Sequence, residues 1–443
     1  MRLTRKVHPS ESARNDRGDF LPFRSSFRVE QEAKELALRT IRDLHELEAL
    51  RAIWESWPGT RDSDLDFFSS VVRSRGRRPH VIVLTWNARL DAILIGLRER
   101  RKLPFRLGCF TICEPEVNVL EFVSGGLRGN ASEENCAAFV RELMRSLDRG
   151  EADMALWEQL DVQSPLYNYA LQWPRSAWRD HFPRIDGHWW LRKFPKGLDA
   201  FFMSLSRSQR SKLRRKYKNV LNRFAGKMQI RCFRSLADLE PAIAQMEEIA
   251  SKTDKRRVFG LGFFDTQQIH EQMVVAAQRG WLRIYILYLE DKPAAFWRGT
   301  VYDRCLQGDD VGYDPIWSEF SPGIFLFLNI LESLRDEDIK TVDFGYGDTQ
   351  LKQCLGDLRC VESRLRIYDP TLRGILLNLL NTATPCATDW AKFLLQRTRC
   401  LEWARRASRN KFAHQRHKNI ARSRILNSGL RNDARAGEAG GQA

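Results

Sequence analysis

The chain's apolar positions change period several times, and each change predicts an element. Between positions 31 and 53, Leu36, Leu38, Ile41, Leu44, Leu47, Leu50 and Ile53 recur mostly every third residue, which predicts one amphipathic helix. Residues 80–86 then read as a strand, Asn87-Ala88-Arg89 as a polar turn, and 90–97 as the returning strand.

The second half repeats the arrangement. Residues 281–289 form a strand pattern, Glu290-Asp291-Lys292 a turn, and 293–301 the return strand. Superposing the turns places Leu84 on Leu287 and Ala92 on Ala295. Downstream, 139–157 and 327–344 each read as an amphipathic helix, a charged turn and a short strand. Hairpin, helix, strand thus occurs twice, half a chain apart.

These patterns predict an α/β chain of two tandem domains, each a mixed twisted sheet flanked by helices, with a basic helical tail. The expected boundaries are a flexible segment 1–30, an N-terminal domain 31–195, a C-terminal domain 196–370, and a helical, then disordered, tail 371–443. Within that tail, 372–380 and 390–403 are each expected to form a helix. Residues 174–195, aromatic, basic and punctuated by proline, read as a connector.

Composition narrows the function classes. Hydrophobic residues make up 43% of the 443 positions and charged residues 29%, enough to bury a sizeable core. No run of 18 apolar residues is present, so no membrane span is expected. Nine scattered cysteines with no C-x-x-C pair read as cytosolic thiols, neither a disulfide framework nor a zinc knuckle. A cytoplasmic placement follows, with peripheral attachment to the inner face of the membrane left open. The net charge of +16 is concentrated in 207–223 and 392–435. In 207–223 the apolar residues Leu213, Tyr217, Val220, Leu221 and Phe224 make one stripe beside a broad cationic face. A solvated linking helix is preferred there over a contact with an anionic acceptor, and the tail is a candidate anionic-partner site.

No phosphate loop, G-x-S-x-G elbow or H-E-x-x-H helix occurs. Asp343-Phe344-Gly345 mimics a kinase signature, but no other kinase motif accompanies it. His414 and His417 belong to a polycationic stretch, and no metal site is expected. The densest cluster of unusual residues lies in 309–352. There Val311, Gly312 and Tyr313 leave a strand, and Ser321, Pro322 and Gly323 open an apolar helix, with Ser321 suited to the N-cap and Pro322 to the first turn. A loop feeding a helix N-terminus offers free amides and the positive end of a dipole to a diphosphate. The strand 341–344 ends in Gly345-Tyr346-Gly347-Asp348, followed by Lys352, which brings titratable groups to a turn that a ligand can approach closely.

These motifs, together with the basic stretch from Ser206 and the turn from Glu290 to Ala295, resemble the CelD-like acetyltransferases of the GNAT superfamily, which are related in architecture to the FemAB transferases. The resemblance spans 206–352. Two departures are present: Leu351 stands where the family has an aromatic residue, and 318–323 replaces the usual Q/R-x-x-G-x-G/A loop.

The resemblance implies an acyltransferase that moves an acyl group from acetyl-CoA or another acyl-CoA to an amine or hydroxyl acceptor, linked to polysaccharide or cell-envelope metabolism. It implies no permanently bound cofactor. In this reading the backbone at Val311, Gly312 and Tyr313 holds the oxyanion, and Ser321, Pro322 and Gly323 cradle the pyrophosphate. Asp343 or Asp348 serves as base or acceptor ligand, Tyr346 as acid, and Lys352 completes the set. The alternatives are a FemAB-like transferase that uses charged tRNA, the one reading that needs a nucleic acid, and a non-catalytic scaffold.

Overall fold

Two tight turns set the register of each half. Asn87 and Ala88 adopt φ of 49° and 62°, and Glu290 and Asp291 adopt 50° and 60°. Two successive left-handed residues match the twist of the flanking strands. A computed structural model describes residues 35–74, 76–107, 110–172, 184–191, 193–253, 256–257, 262–346 and 350–397. The segment 1–30, residues 174–183 and 192 of the expected connector, Gly347, Asp348 and the chain from 398 onward, with His414 and His417, lie outside them.

The strands are β1 (Leu36–Ile41), β2 (Arg78–Pro79), β3 (Val81–Trp86), β4 (Arg89–Lys102), β5 (Phe105–Leu107), β6 (Phe110–Cys113), β7 (Glu116–Gly129) and β8 (Met154–Asp161). They continue as β9 (Arg184–Leu191), β10 (Met228–Phe233), β11 (Leu282–Leu289), β12 (Lys292–Tyr302), β13 (Cys305–Tyr313), β14 (Thr341–Tyr346) and β15 (Leu358–Tyr368). Apart from the β5–β6 hairpin and β2, which pairs with β4, they form one sheet in the order β1-β3-β4-β7-β8-β15-β9-β14-β13-β12-β11-β10.

That order is a pseudo-twofold repeat with an exchange at its centre. Each half contributes five strands, and each receives its sixth from the other. β15 closes the N-terminal half against β8, β9 closes the C-terminal half against β14, and β9 and β15 pair antiparallel where the halves meet. The α/β class with tandem halves expected from the sequence is the one observed. Leu84 faces Ala92 and Leu287 faces Ala295, and in both hairpins the register shifts just beyond that pair. The repeat therefore extends to the position of a bulge.

Helices cover both faces. The N-terminal half has α1 (Leu44–Glu48), α2 (Arg51–Ser56) and α3 (Leu65–Arg73) on one side, around Trp54 and Phe68. On the other lie α4 (Glu133–Asp148) and α5 (Pro165–Gln172), around Phe139 and Trp157. In the C-terminal half α6 (Leu198–Ser204), α7 (Arg207–Arg223) and α10 (Pro322–Ser333) pack around Phe201, Phe224 and Phe325. Opposite them α8 (Leu239–Lys252) and α9 (Gln267–Gln278) cover Ile284 and Phe296. α11 (Gln350–Leu355) and α12 (Leu372–Arg397) complete the set among the described residues. α7 buries Leu213 and Val220 and leaves Arg207, Lys212, Arg215 and Lys218 exposed.

Three expectations change. Residues 184–191 of the expected connector form β9, a strand inside the sheet. The single helix over 31–53 is instead β1 followed by α1 and α2. Leu36 and Leu38 are two residues apart, the period of a strand paired to β3, and Asp43 caps the helix that starts after it by accepting from the His45 amide. The two tail helices join into one, because α12 runs from Leu372 through Pro385 to Arg397 without a break.

Candidate functional site

β13 and β14 run parallel only from Cys305 opposite Thr341 to Gln307 opposite Asp343. Beyond that point each strand is held by its other neighbour. Tyr313 stays opposite Ala295 of β12, and Tyr346 stays opposite His188 of β9. The two therefore diverge, and a cavity of about 760 Å³ fills the gap. Residue alternation aims the backbone into it. The Asp314 amide donates to Ala294, so in this antiparallel ladder the amides of Val311 and Tyr313 point away from β12, toward the space β14 has left. Gly312 has no room for a side chain, since a Cβ would stand 2.5 Å from the Phe296 ring.

The start of α10 opens onto the same cavity. Ser321 and Gly323 line it, with Phe344, Gly345 and Lys352. Pro322 is buried at the first helical position. Ser321 occupies the N-cap, but its φ of 53° and ψ of 53° are left-handed, because it also ends the 3-10 turn Pro315–Phe320, and its side chain makes no capping bond. The Gly323 amide has no intrahelical acceptor, and space is open where its Cβ would stand. Lys352 Nζ donates to the Gly345 carbonyl at 2.9 Å.

Asp343 faces the other way, into a second cavity of about 400 Å³ where the halves meet. His188 of the exchanged strand β9 bridges it to Glu362 of the other exchanged strand. Nε2 lies 2.5 Å from Asp343 Oδ1 and Nδ1 2.8 Å from Glu362 Oε2. Asp343 Oδ1 also accepts the Gly345 amide at 2.6 Å, and Trp190 stacks on the imidazole at 5.0 Å. Burial opposes a charged His188, but the two carboxylates outweigh it and lift its pKa to about 9. The imidazolium is thus charged at neutral pH. Cys305, in the same cavity, is driven up to about 11 chiefly by burial, so it remains a thiol and not a nucleophile.

One further contact ties the halves to the cleft. The register of β12 on β13 slips at Arg298, leaving Asp309 unpaired in the ladder. Both its oxygens receive Arg61 Nη1, at 2.7 and 2.8 Å. Arg61 sits in the turn Arg61–Ser63 of the N-terminal half and is buried, and its partner Asp309 is partly buried.

Of the residues singled out in the sequence, the structure gathers Val311, Gly312, Tyr313, Ser321, Gly323 and Lys352 about one cleft and places Asp343 behind it. Tyr346 ends β14, and Asp348 lies outside the described residues. No sequence motif marks His188, Glu362, Trp190 or Arg61. No group of three or more His, Cys, Asp or Glu among the described residues is placed to hold a metal ion.

No curated protein matches the chain. Among solved structures, FemX is similar over 74% of this chain and 96% of its own, at 10% identity and a TM-score of 0.48. The C-terminal domain of a putative lysylphosphatidylglycerol synthetase from Agrobacterium fabrum is similar over 77% and 97%, at 12% and 0.45. A tandem GNAT protein from the clavulanic acid biosynthesis pathway is similar over 76% and 99%, at 11% and 0.42. The segment that carries the cleft, residues 207–353, matches the family of the acetyltransferase (GNAT) domain.

Proposed function

We propose that the chain is an acyl-CoA-dependent N-acyltransferase, CelD-like within the GNAT superfamily, whose thioester lies between β13 and β14 and whose acceptor arrives from the His188 side. The observation that carries this reading is the divergence of β13 from β14 beyond Gln307 and Asp343, with the Gly323 amide at the start of α10 opening on the gap. An acyl-CoA would supply an activated acyl carbon. Ser321, Pro322 and Gly323 would hold its diphosphate at the helix start, and the amides of Val311 and Tyr313 would receive the oxyanion.

The second cavity supports an amine acceptor. Among the described residues, Asp62, Asp161, Asp303, Asp343 and Glu362 line it against Arg61 and His188, an acidic chamber in a chain of net charge +16. Such a chamber favours a cation. The bound ammonium first gives up one proton to solvent, and Asp343 takes the second as the neutral amine nitrogen forms its bond to the acyl carbon. His188 holds that carboxylate in place. The C–S bond breaks, and Tyr346 is assigned to protonate the departing thiolate, with Lys352, which lines the cleft, completing the set. A link to cell-envelope or polysaccharide metabolism, and an anionic partner for the basic stretch 392–435, belong to the same reading.

Calorimetric titration with acetyl-CoA and longer acyl-CoAs, followed by assay of free thiol release with primary amines, tests it. Binding of at least one thioester and amine-dependent release are expected. Absence of heat with every thioester, and of thiol with every amine, would remove the assignment.

A further inference from the structure

We infer that the outward face of α12 (Leu372–Arg397) is a lipid-binding surface that lays the helix along an anionic bilayer. The helix packs on the body the wrong way round for an ordinary surface helix. Its buried positions are Gly374, Leu377, Asn381 and Thr384, mostly small or polar. Leu372 is 87% exposed, Leu376 57%, Leu379 54%, Trp390 69% and Phe393 56%, and Ala383 and Cys386 between them are also exposed. Those seven positions follow one another at alternating steps of four and three, so they form one continuous stripe. A stripe this apolar on the water side is an interaction surface.

The residues beside the stripe select the occupant. A second copy docked through a coiled-coil seam would call for charged flanks. Here the flanking positions include Ile375, Leu380, Thr382 and Ala387, with Arg373 and Asp389 the charged ones among them. Arg373 is turned to the body, where it meets Asp153 and the Glu116 carbonyl. The apolar arc is therefore wider than a seam and suits a flat interface, with Trp390 able to sit at headgroup level. The helix is about 39 Å long at 1.5 Å per residue, yet no described helix is long and apolar enough to cross a membrane. It would lie on the surface.

Charge complementarity supplies the second signal that stable attachment needs. Between Lys392 and Arg435 the sequence carries thirteen Lys and Arg against two acidic residues. That stretch continues directly from the apolar stripe, and such a run is drawn to anionic headgroups. The adjacent β5–β6 hairpin, against which α12 packs, exposes Phe110 and Ile112 as well.

Co-sedimentation of the full chain with phosphatidylcholine vesicles, with and without phosphatidylglycerol, tests the inference. Partition onto the anionic vesicles is expected, weakening as salt is raised. It should fall by about tenfold or more in the Leu376→Glu/Leu379→Glu variant, because each leucine removed from water contributes roughly that factor. Trp390→Ala, a milder change at an exposed site, should weaken partition with an unchanged melting temperature, and it decides the matter if the double variant does not fold. Acyl-CoA binding, read separately by calorimetry, should be the same in all three proteins. Equal indifference to both vesicle types would overturn the inference. So would undiminished partition of the variants, or a change confined to a dimer-to-monomer shift in sedimentation velocity, which would make the face a self-association surface.

Discussion

His188 and Asp343, 155 positions apart, meet through Nε2 and Oδ1 at 2.5 Å, each on a strand that borders the seam between the two halves. His188 lies on an exchanged strand and Asp343 on the strand that receives it. The contact therefore reports on the chemistry and on the joining of the halves at once.

Its pH dependence has a definite sign. The folded pKa of His188, about 9, stands above the ordinary 6.5. The stabilisation is complete below pH 6.5 and is lost as pH rises through about 9, and it amounts to about 3 kcal/mol at most. Urea unfolding from pH 6 to 10 should show a falling midpoint in the wild type, and His188→Gln should flatten that decline.

Asp343→Asn separates binding from turnover. The side chain faces the acceptor cavity and not the cleft, so the acyl-CoA dissociation constant should stay within a factor of about two, while kcat falls by roughly 100-fold as expected for loss of a positioned base. Undiminished turnover would take Asp343 off the catalytic list.

Gly323→Trp should fold normally, since nothing lies within 4 Å of the added Cβ. The indole would occupy the mouth of the cleft and abolish measurable acyl-CoA binding in calorimetry. An unchanged affinity together with an unchanged melting temperature would relocate the diphosphate.

Asp309→Ala leaves the Arg61 guanidinium buried with Asp62 as its remaining carboxylate partner. Breaking a buried pair from one side costs about 3 kcal/mol. Chemical denaturation should record that loss, and the double variant Arg61→Met/Asp309→Leu should recover part of it.

Local signals made some of this legible in the sequence. The turns that start at Asn87 and Glu290 superpose in the sequence and place Leu84 on Leu287 and Ala92 on Ala295, and the structure makes these the equivalent facing pairs Leu84–Ala92 and Leu287–Ala295, because a tight turn fixes register over a few positions. The start of α10 was readable from Ser321-Pro322-Gly323 for the same reason. β1 is hidden in the sequence because its apolar residues run straight into those of α1, and a period of three emerges from two elements of different kind. His188 carries no local signal, because its strand lies in a stretch whose aromatic, basic and proline-punctuated composition reads as a connector. Its partners Asp343 and Glu362 are 155 and 174 positions away, and no spacing rule reaches so far.

The exchange of sixth strands also constrains how the chain can be made. Residues 36–161 leave the ribosome with the β8 edge bare, and the strand that covers it, Leu358–Tyr368, is translated nearly two hundred residues later. Until then Leu156 and Trp157 present an unpaired edge, the kind that invites pairing with a neighbouring nascent chain. Synthesis of the N-terminal half thus ends long before its folding can, and the last step of maturation closes both halves together.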